Sequence, residues 1–391
     1  MIYNFDKAID RRNTNSLKYD FAVSRGKTHD TIPLWIADMD FAAPPCVLDA
    51  LRIAIDHGIF GYSETAERYS SVLQDWFIRH FAWQIRPEWV VQTPGVVTAL
   101  HVAISGLTKP GDAIIIQQPV YPPFFSSITS TGRRPVINQL MPVANTYEID
   151  FDDFEAKIVS QKVKMFILCS PHNPVGRVWT KDELIKLGDI CLKHGVIVIA
   201  DEIHADLVFD GHKQLVFSDL KPEYLDITIT CTAPSKTFNI AGLQLANNIV
   251  ANKNMRDTFI NQLYANGLSQ SNALGIVACE AAYRHGDAWL QQLNIYLAAN
   301  RDYMRGYLAS ELPQITMADL QGTYLAWLDF SALGLSPVQL NDFVSNKAKL
   351  WLTDGPAFGA GGEGFQRINI GCTRETLRSA LQRLKNAIDI L

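Results

Sequence analysis

The sequence predicts an α/β fold, with a mostly parallel central sheet covered by helices on both faces and a smaller α+β domain beside it. Two observations predict it. The runs Met165-Phe166-Ile167-Leu168-Cys169, Val196-Ile197-Val198-Ile199-Ala200 and Ile227-Thr228-Ile229-Thr230-Cys231 are short, β-rich and without alternation, which is how strands buried on both faces of a parallel sheet read. Strand-like and helix-like stretches also alternate up to Ala246, the pattern of strands joined by right-handed crossovers.

In chain order, residues 1–45 read as a polar N-terminal arm, with Pro44-Pro45 marking a boundary before a helical pattern at 47–56. The stretch 97–107 looks helical, Lys109-Pro110-Gly111-Asp112 is a turn, and 113–116 is a strand leading to Pro119-Val120-Tyr121. Together with the three apolar runs these elements make a large domain at 46–283. A long helical pattern at 289–308 then gives way to strand-like stretches at 324–328 and 365–370, which predicts a small α+β domain at 284–391. There is no internal repeat or low-complexity segment.

A chain of 391 residues can bury roughly three quarters of its unfolded surface, enough for a large core. The net charge of −5 is scattered rather than in runs, so neither a nucleic-acid footprint nor a basic membrane patch is indicated. The six cysteines are spread singly, several within apolar stretches; they read as reduced core residues, and no metal site is expected. The first residues lack the apolar region of a signal peptide and no apolar stretch is long enough to span a bilayer, so a cytoplasmic protein is the expectation.

Ligands to parallel sheets bind at the carboxyl ends of the strands. The three apolar runs lead into Ser170-Pro171-His172-Asn173-Pro174, Asp201-Glu202-Ile203-His204 and Ser235-Lys236, so Asn173, Asp201 and Lys236 are expected to converge on one crevice. An amide, a carboxylate and an amine together suit pyridoxal phosphate: the lysine amine condenses with the aldehyde, a buried carboxylate keeps the ring nitrogen protonated, and the amide donates to the phenolic oxygen. Each of these residues taken singly reads equally well as a cap or a turn former.

On these residues the sequence resembles the fold-type I pyridoxal-phosphate enzymes over nearly its whole length. Ser170-Pro171-His172-Asn173-Pro174-Val175-Gly176 resembles the family's S-P-x-N-P-x-G segment, Asp201-Glu202-Ile203-His204 its D-E-[IV]-[YH] segment, and Ser235-Lys236-Thr237 its cofactor-lysine segment. Trp35-Ile36-Ala37-Asp38-Met39-Asp40-Phe41, Ala233-Pro234-Ser235-Lys236-Thr237-Phe238-Asn239 and Gly361-Gly362-Glu363-Gly364-Phe365-Gln366-Arg367-Ile368-Asn369-Ile370-Gly371-Cys372 are closer to the MalY/PatB-type C–S β-lyases, as is His204 where many aminotransferases carry tyrosine. The resemblance implies that Tyr121 stacks on the pyridine ring and that His204 belongs to the cofactor site. It also implies that Arg367 grips the substrate α-carboxylate, for which a guanidinium fork is suited, and that the arm joins the small domain. Tyr62, in Phe60-Gly61-Tyr62-Ser63, resembles the tyrosine that reaches the phosphate from a neighbouring subunit, which implies a homodimer with shared sites.

The chain departs from the wider superfamily in carrying Ala233 and Gln244 where many members place a serine and an arginine on the phosphate. Anchoring then falls to the backbone N–H groups of Gly95, Val96 and Val97, at the start of a helix, and to the Ser235 hydroxyl; the alternative is that Thr93-Pro94-Gly95 is only a turn. Gly359-Ala360-Gly361-Gly362-Glu363-Gly364 fits G-x-G-x-x-G literally, but a strand rather than a helix follows, so it reads as a mobile loop beside the site and not as a dinucleotide fingerprint. The activity implied is α,β-elimination on cystathionine or a related cysteine S-conjugate. An aminotransferase is the alternative, and a protein-binding transcriptional modulator that retains the site is a third reading.

Overall fold

The computed structural model describes residues 2–209 and 211–391. The apolar runs become strands of a seven-stranded sheet: β1 (Val90–Thr93), β2 (Ala113–Gln118), β3 (Arg134–Gln139), β4 (Val163–Cys169), β5 (Ile197–Asp201), β6 (Thr228–Thr232) and β7 (Ala246–Ile249). Their spatial order is β1-β7-β6-β5-β4-β2-β3. All neighbours pair in parallel except at β7, which is antiparallel to both β6 and β1. The reversal at β7 has a simple cause. A parallel return needs a crossover long enough to carry a packed helix, whereas the link from β6 to β7 carries only the four-residue helix Pro234–Thr237 and a 3-10 turn.

Successive side chains of these strands enter two different cores, as a period of two demands. Ile114, Ile116, Met165, Ile167, Ile199 and Ile229 pack with helices Val96–Leu107 and Lys253–Ala265. Ile115, Phe166, Leu168, Val198 and Ala200 pack with helices Phe151–Gln161 and Lys181–Lys193. Both faces are thus covered, which explains why the strands are apolar without alternation.

A second sheet, antiparallel throughout, consists of β8 (Thr316–Met317), β9 (Leu325–Asp329), β10 (Thr353–Asp354) and β11 (Phe365–Asn369) in the order β8-β9-β11-β10. Helices Asp287–Glu311 and Arg374–Ile388 share a third core with it and with the arm. The arm is fastened by two kinds of contact, the parallel pairing of Ile32–Pro33 with Leu350–Trp351 and the stacking of Trp35 on Trp351 with ring centroids 4.5 Å apart; within the arm, the fully buried Lys18 is ion-paired with Asp40 at 2.8 Å. All six cysteines are unpaired, five buried and Cys46 half-buried. Among the described residues no helix is long and apolar enough to cross a membrane.

Candidate active site

The chain leaves the central sheet at adjacent strand ends and deposits polar residues around one cavity of about 270 Å³. β2 ends ahead of Tyr121, β4 ahead of Asn173, β5 at Asp201 and β6 just before Ser235 and Lys236. Strand order changes direction between β2 and β4, and a crevice opens at such a switch point because the connections diverge to opposite faces. Tyr121, Asn173, Asp201, His204, Ser235 and Lys236 all line the cavity, and so do Gly95, Val96 and Val97. The last three begin helix Val96–Leu107, which has no side-chain cap. The first N–H groups of the helix thus lack intrahelical partners at residues that line the cavity, a disposition suited to an anion.

Burial sets the protonation states. The Asp201 carboxyl has one hydrogen bond among the described residues, from the Ile203 N–H at 3.2 Å, and burial pushes its pKa up to about 7 against the pull of Lys236. A buried carboxylate so poorly provided for is stabilised by a cation brought into the cavity. Lys236 Nζ donates to the Ala37 carbonyl at 2.7 Å; desolvation pulls its amine down to about 8, with Asp38 opposing and Arg367 assisting. His204 lies edge-on to Tyr324, ring centroids 6.0 Å apart. Burial first, then Lys236 and Arg367, lower its pKa to about 3, so the imidazole is neutral, and its Nδ1 has no partner.

Arg367, on β11 of the second sheet, reaches the same place. It is buried, donates through Nη1 to Asn173 Oδ1 at 2.9 Å and through Nη2 to the Trp35 carbonyl at 2.7 Å and Thr353 Oγ1 at 3.1 Å, and lies over the Phe358 ring at 4.9 Å. Its Nε is buried without a partner, and no carboxylate lies within ion-pair distance of it among the described residues. Burial pulls its pKa down to about 10. A buried guanidinium with neutral partners and a free N–H is a receptor for a carboxylate from outside. Because Arg367 occupies the Asn173 side-chain oxygen, the Asn173 amide N–H groups are left free to donate.

The donor set fits pyridoxal phosphate. An amine, a carboxylate in need of a cation, an uncommitted amide, an aromatic ring and an uncapped helix N-terminus stand around a cavity of suitable size. Tyr62 is apart from this group: it is 93 % exposed and lines a separate cavity that shares only Pro94 with the first. The glycines of 359–364, read from the sequence as a mobile loop, serve close packing instead. Ala360 N donates to Gln118 Oε1 at 3.0 Å, Gln139 Nε2 donates to the Ala360 carbonyl at 3.2 Å, and a Cβ on Gly359 would stand 2.2 Å from Gln118. Several participants escaped the sequence reading, Thr353 and Phe358 beside Arg367 among them. The carbonyls of Trp35 and Ala37 carry no side-chain signal, and Tyr324 reads as an ordinary strand aromatic.

A model of the aminotransferase class I and II family matches residues 29–384. The chain belongs to that family. Within it, cystathionine beta-lyase PatB of Bacillus subtilis is 43% identical over 98% of this chain and 100% of its own length. Among solved structures, cystalysin from Treponema denticola, which contains pyridoxal 5'-phosphate, superimposes with a TM-score of 0.97 at 37% identity, covering 100% of both chains. A pyridoxal-phosphate-bound C–S lyase from Staphylococcus hominis gives 0.92 at 33% identity over 99% of this chain and 98% of that one. Family membership agrees with the mostly parallel sheet and the strand-end cavity, and the fold is that of the fold-type I enzymes.

Proposed function

We propose that this chain is a pyridoxal-phosphate-dependent carbon–sulfur β-lyase that cleaves L-cystathionine or a related cysteine S-conjugate to a thiol, pyruvate and ammonia. The observation that carries the reading is Arg367, a buried guanidinium without a carboxylate partner, bonded to Asn173, which lines the same cavity as Lys236 and Asp201, in a chain this similar to carbon–sulfur lyases. When bound, pyridoxal phosphate supplies an aldehyde for amines and a ring that withdraws electrons from the substrate Cα. Asp201, ionised against the ring nitrogen, holds a proton there. Asn173, with its amide N–H groups free, would hold the cofactor's phenolic oxygen, and His204 and Tyr121, which line the same cavity, would complete the pocket for its ring. The N–H groups of Val96 and Val97 and the Ser235 hydroxyl hold the phosphate. Arg367 fixes the substrate α-carboxylate, which sets the Cα–H bond towards Lys236. Desolvation lowers the Lys236 amine to about 8, so its neutral form is far more accessible near neutrality than that of an ordinary lysine, and in that form it takes the Cα proton at Nζ. The Cβ–S bond then breaks, the thiolate leaving with the electron pair to take up a proton, and the aminoacrylate released adds one water to give pyruvate and ammonia. Tyr62 serves the phosphate of a second copy, so the working unit is a homodimer, placed in the cytoplasm.

Incubation with L-cystathionine in the absence of any keto acid tests this. Homocysteine, pyruvate and ammonia should form in equal amounts over many turnovers, and Lys236→Ala should abolish them. Turnover that depends on added keto acid would identify an aminotransferase instead, because transamination without an acceptor stops after one half-reaction.

A further inference from the structure

The motif segments 35–41, 233–239 and 361–372 contain more than the chemistry above uses, and they meet at one place. Lys236 Nζ donates to the Ala37 carbonyl at 2.7 Å and Arg367 Nη2 to the Trp35 carbonyl at 2.7 Å, so one short stretch of the arm holds both cations of the site. Two asparagines shape that stretch. Asn369, fully buried two residues beyond Arg367, donates through Nδ2 to the carbonyls of Ile36 at 2.7 Å and Asp38 at 2.9 Å, and accepts at Oδ1 from Gly371 N at 2.7 Å. Its two acceptors flank Ala37, and Asp38 N closes a tight turn on the Ile36 carbonyl at 2.9 Å. The Ala37 carbonyl in the middle is the one left for Lys236.

Asn239 does the same from the other side. It stands three residues beyond Lys236 with a left-handed φ of 56°, a conformation asparagine tolerates better than most residues. It accepts from Met39 N at 3.0 Å and donates to the carbonyls of Met39 at 2.8 Å and Phe41 at 2.7 Å. Lys236 belongs to the end of the seven-stranded sheet and Arg367 to the small sheet, and no hydrogen bond joins them directly among the described residues. Besides the Arg367–Asn173 hydrogen bond, which ties the small sheet to the seven-stranded one, the arm stretch is the element that contacts both cations.

We propose that Asn239 and Asn369 are positioning residues that hold segment 35–41 as one strap, through which Lys236 and Arg367 keep a common spacing. The inference rests on the roles given above to those two residues, but not on carbon–sulfur cleavage. A displaced strap moves the proton acceptor and the carboxylate grip together, and displacements on the order of 1 Å cost about a hundredfold in rate.

Alanine variants at Asn239, at Asn369 and at both, prepared as holoenzyme, test it. Exchange of a substrate amino acid's α-proton in deuterated water gives kcat and KM, and the visible absorption of the holoenzyme gives a pH midpoint that reports on Lys236. Each single variant should lose roughly tenfold in kcat, gain roughly tenfold in KM and shift that midpoint. The double variant should be no worse than the poorer single one, because both asparagines act through the same strap. Effects that multiply in the double variant would overturn the proposal, as would an unmoved midpoint with KM unchanged. Should the alanine chains fail to fold, serine variants and hydrogen exchange on the native holoenzyme decide it. Amides of 38–41 should open together with those of 236–239, and independent opening would overturn it. Proton exchange needs no thioether, so a native chain that exchanges α-protons but releases no pyruvate would sink the lyase reading and leave this test intact.

Discussion

Asp201 and Glu202 are consecutive buried carboxyl groups with opposite requirements. Asp201 lines the cavity, and the proposed role requires it ionised against a protonated ring nitrogen. Glu202 points away, accepting from Phe217 N at 2.9 Å, and burial chiefly, with the Asp201 charge adding, pushes its pKa up to about 8. Glu202 Oε2 and Gln214 Oε1 are both buried without a donor, while Gln214 Nε2 is committed to the carbonyls of Ser170 and Leu215 at 3.3 and 3.1 Å. A proton on Glu202 relieves one of these unpartnered oxygens, so near neutrality Glu202 is mostly the neutral acid and Asp201, raised only to about 7, is the more readily ionised of the two. The sign of the pH dependence follows. The folded-state pKa lies above the ordinary value of 4.5, so the folded state holds the extra proton between that value and about 8. Stability from this group therefore falls as pH rises through the window. Glu202→Gln should unfold at a higher temperature relative to the native chain at pH 9 than at pH 5; parallel profiles would mean that Glu202 is ionised in the fold. The carboxyl pair was legible in the sequence as a motif, but the division of charge between its members was not, because only packing decides which one meets the cavity.

At the scale of elements, the proposed phosphate end of the site depends on how one helix begins. Gly95 precedes helix Val96–Leu107 with φ +105°, and an added Cβ would meet nothing within 4 Å. The glycine is required by backbone conformation rather than by space. It turns the chain so that Val96 and Val97, with their uncapped N–H groups, line the cavity. Gly95→Ala is expected to weaken retention of pyridoxal phosphate by roughly tenfold through that strain and the displaced amides, while affinity for unphosphorylated pyridoxal changes little. Equilibrium dialysis with the two compounds checks it, and equal losses would remove the helix start from the phosphate site. The helix itself was readable from its apolar period, as were the strands from their β-rich runs. The antiparallel course of β7 was not, since it follows from the length and contents of a connection rather than from the strand's own residues. The packing role of the glycines at 359–364 was equally hidden, because Gln118 and Gln139, which they meet, lie more than two hundred residues earlier.

At the scale of the whole molecule, the exposed Tyr62 stands near other uncovered apolar side chains, with Ile59 73 % and Phe60 62 % exposed, as a surface for a second copy would. If each site takes Tyr62 from the neighbour, a mixture of Tyr62→Ala and Lys236→Ala chains, dissociated and reassociated, should recover roughly a quarter of native sites, since half the dimers are mixed and each mixed dimer has one intact site. Recovery no greater than the sum of the separate variants would show that the sites are not shared. The sequence by itself determined the element types and the convergence of Asn173, Asp201 and Lys236, because β-rich runs, proline and glycine punctuation and the rule of strand ends are local or topological properties. Only the tertiary structure decided that Arg367 rests on Asn173, that Lys236 rests on the carbonyl of Ala37, and that Glu202 sits where a proton is favoured. The contacts of Lys236 with Ala37 and of Arg367 with Trp35 join residues 199 and 332 positions apart. A backbone carbonyl is the same chemical group at every position, so which one becomes an acceptor, and how dry its surroundings are, emerges only when distant segments pack together.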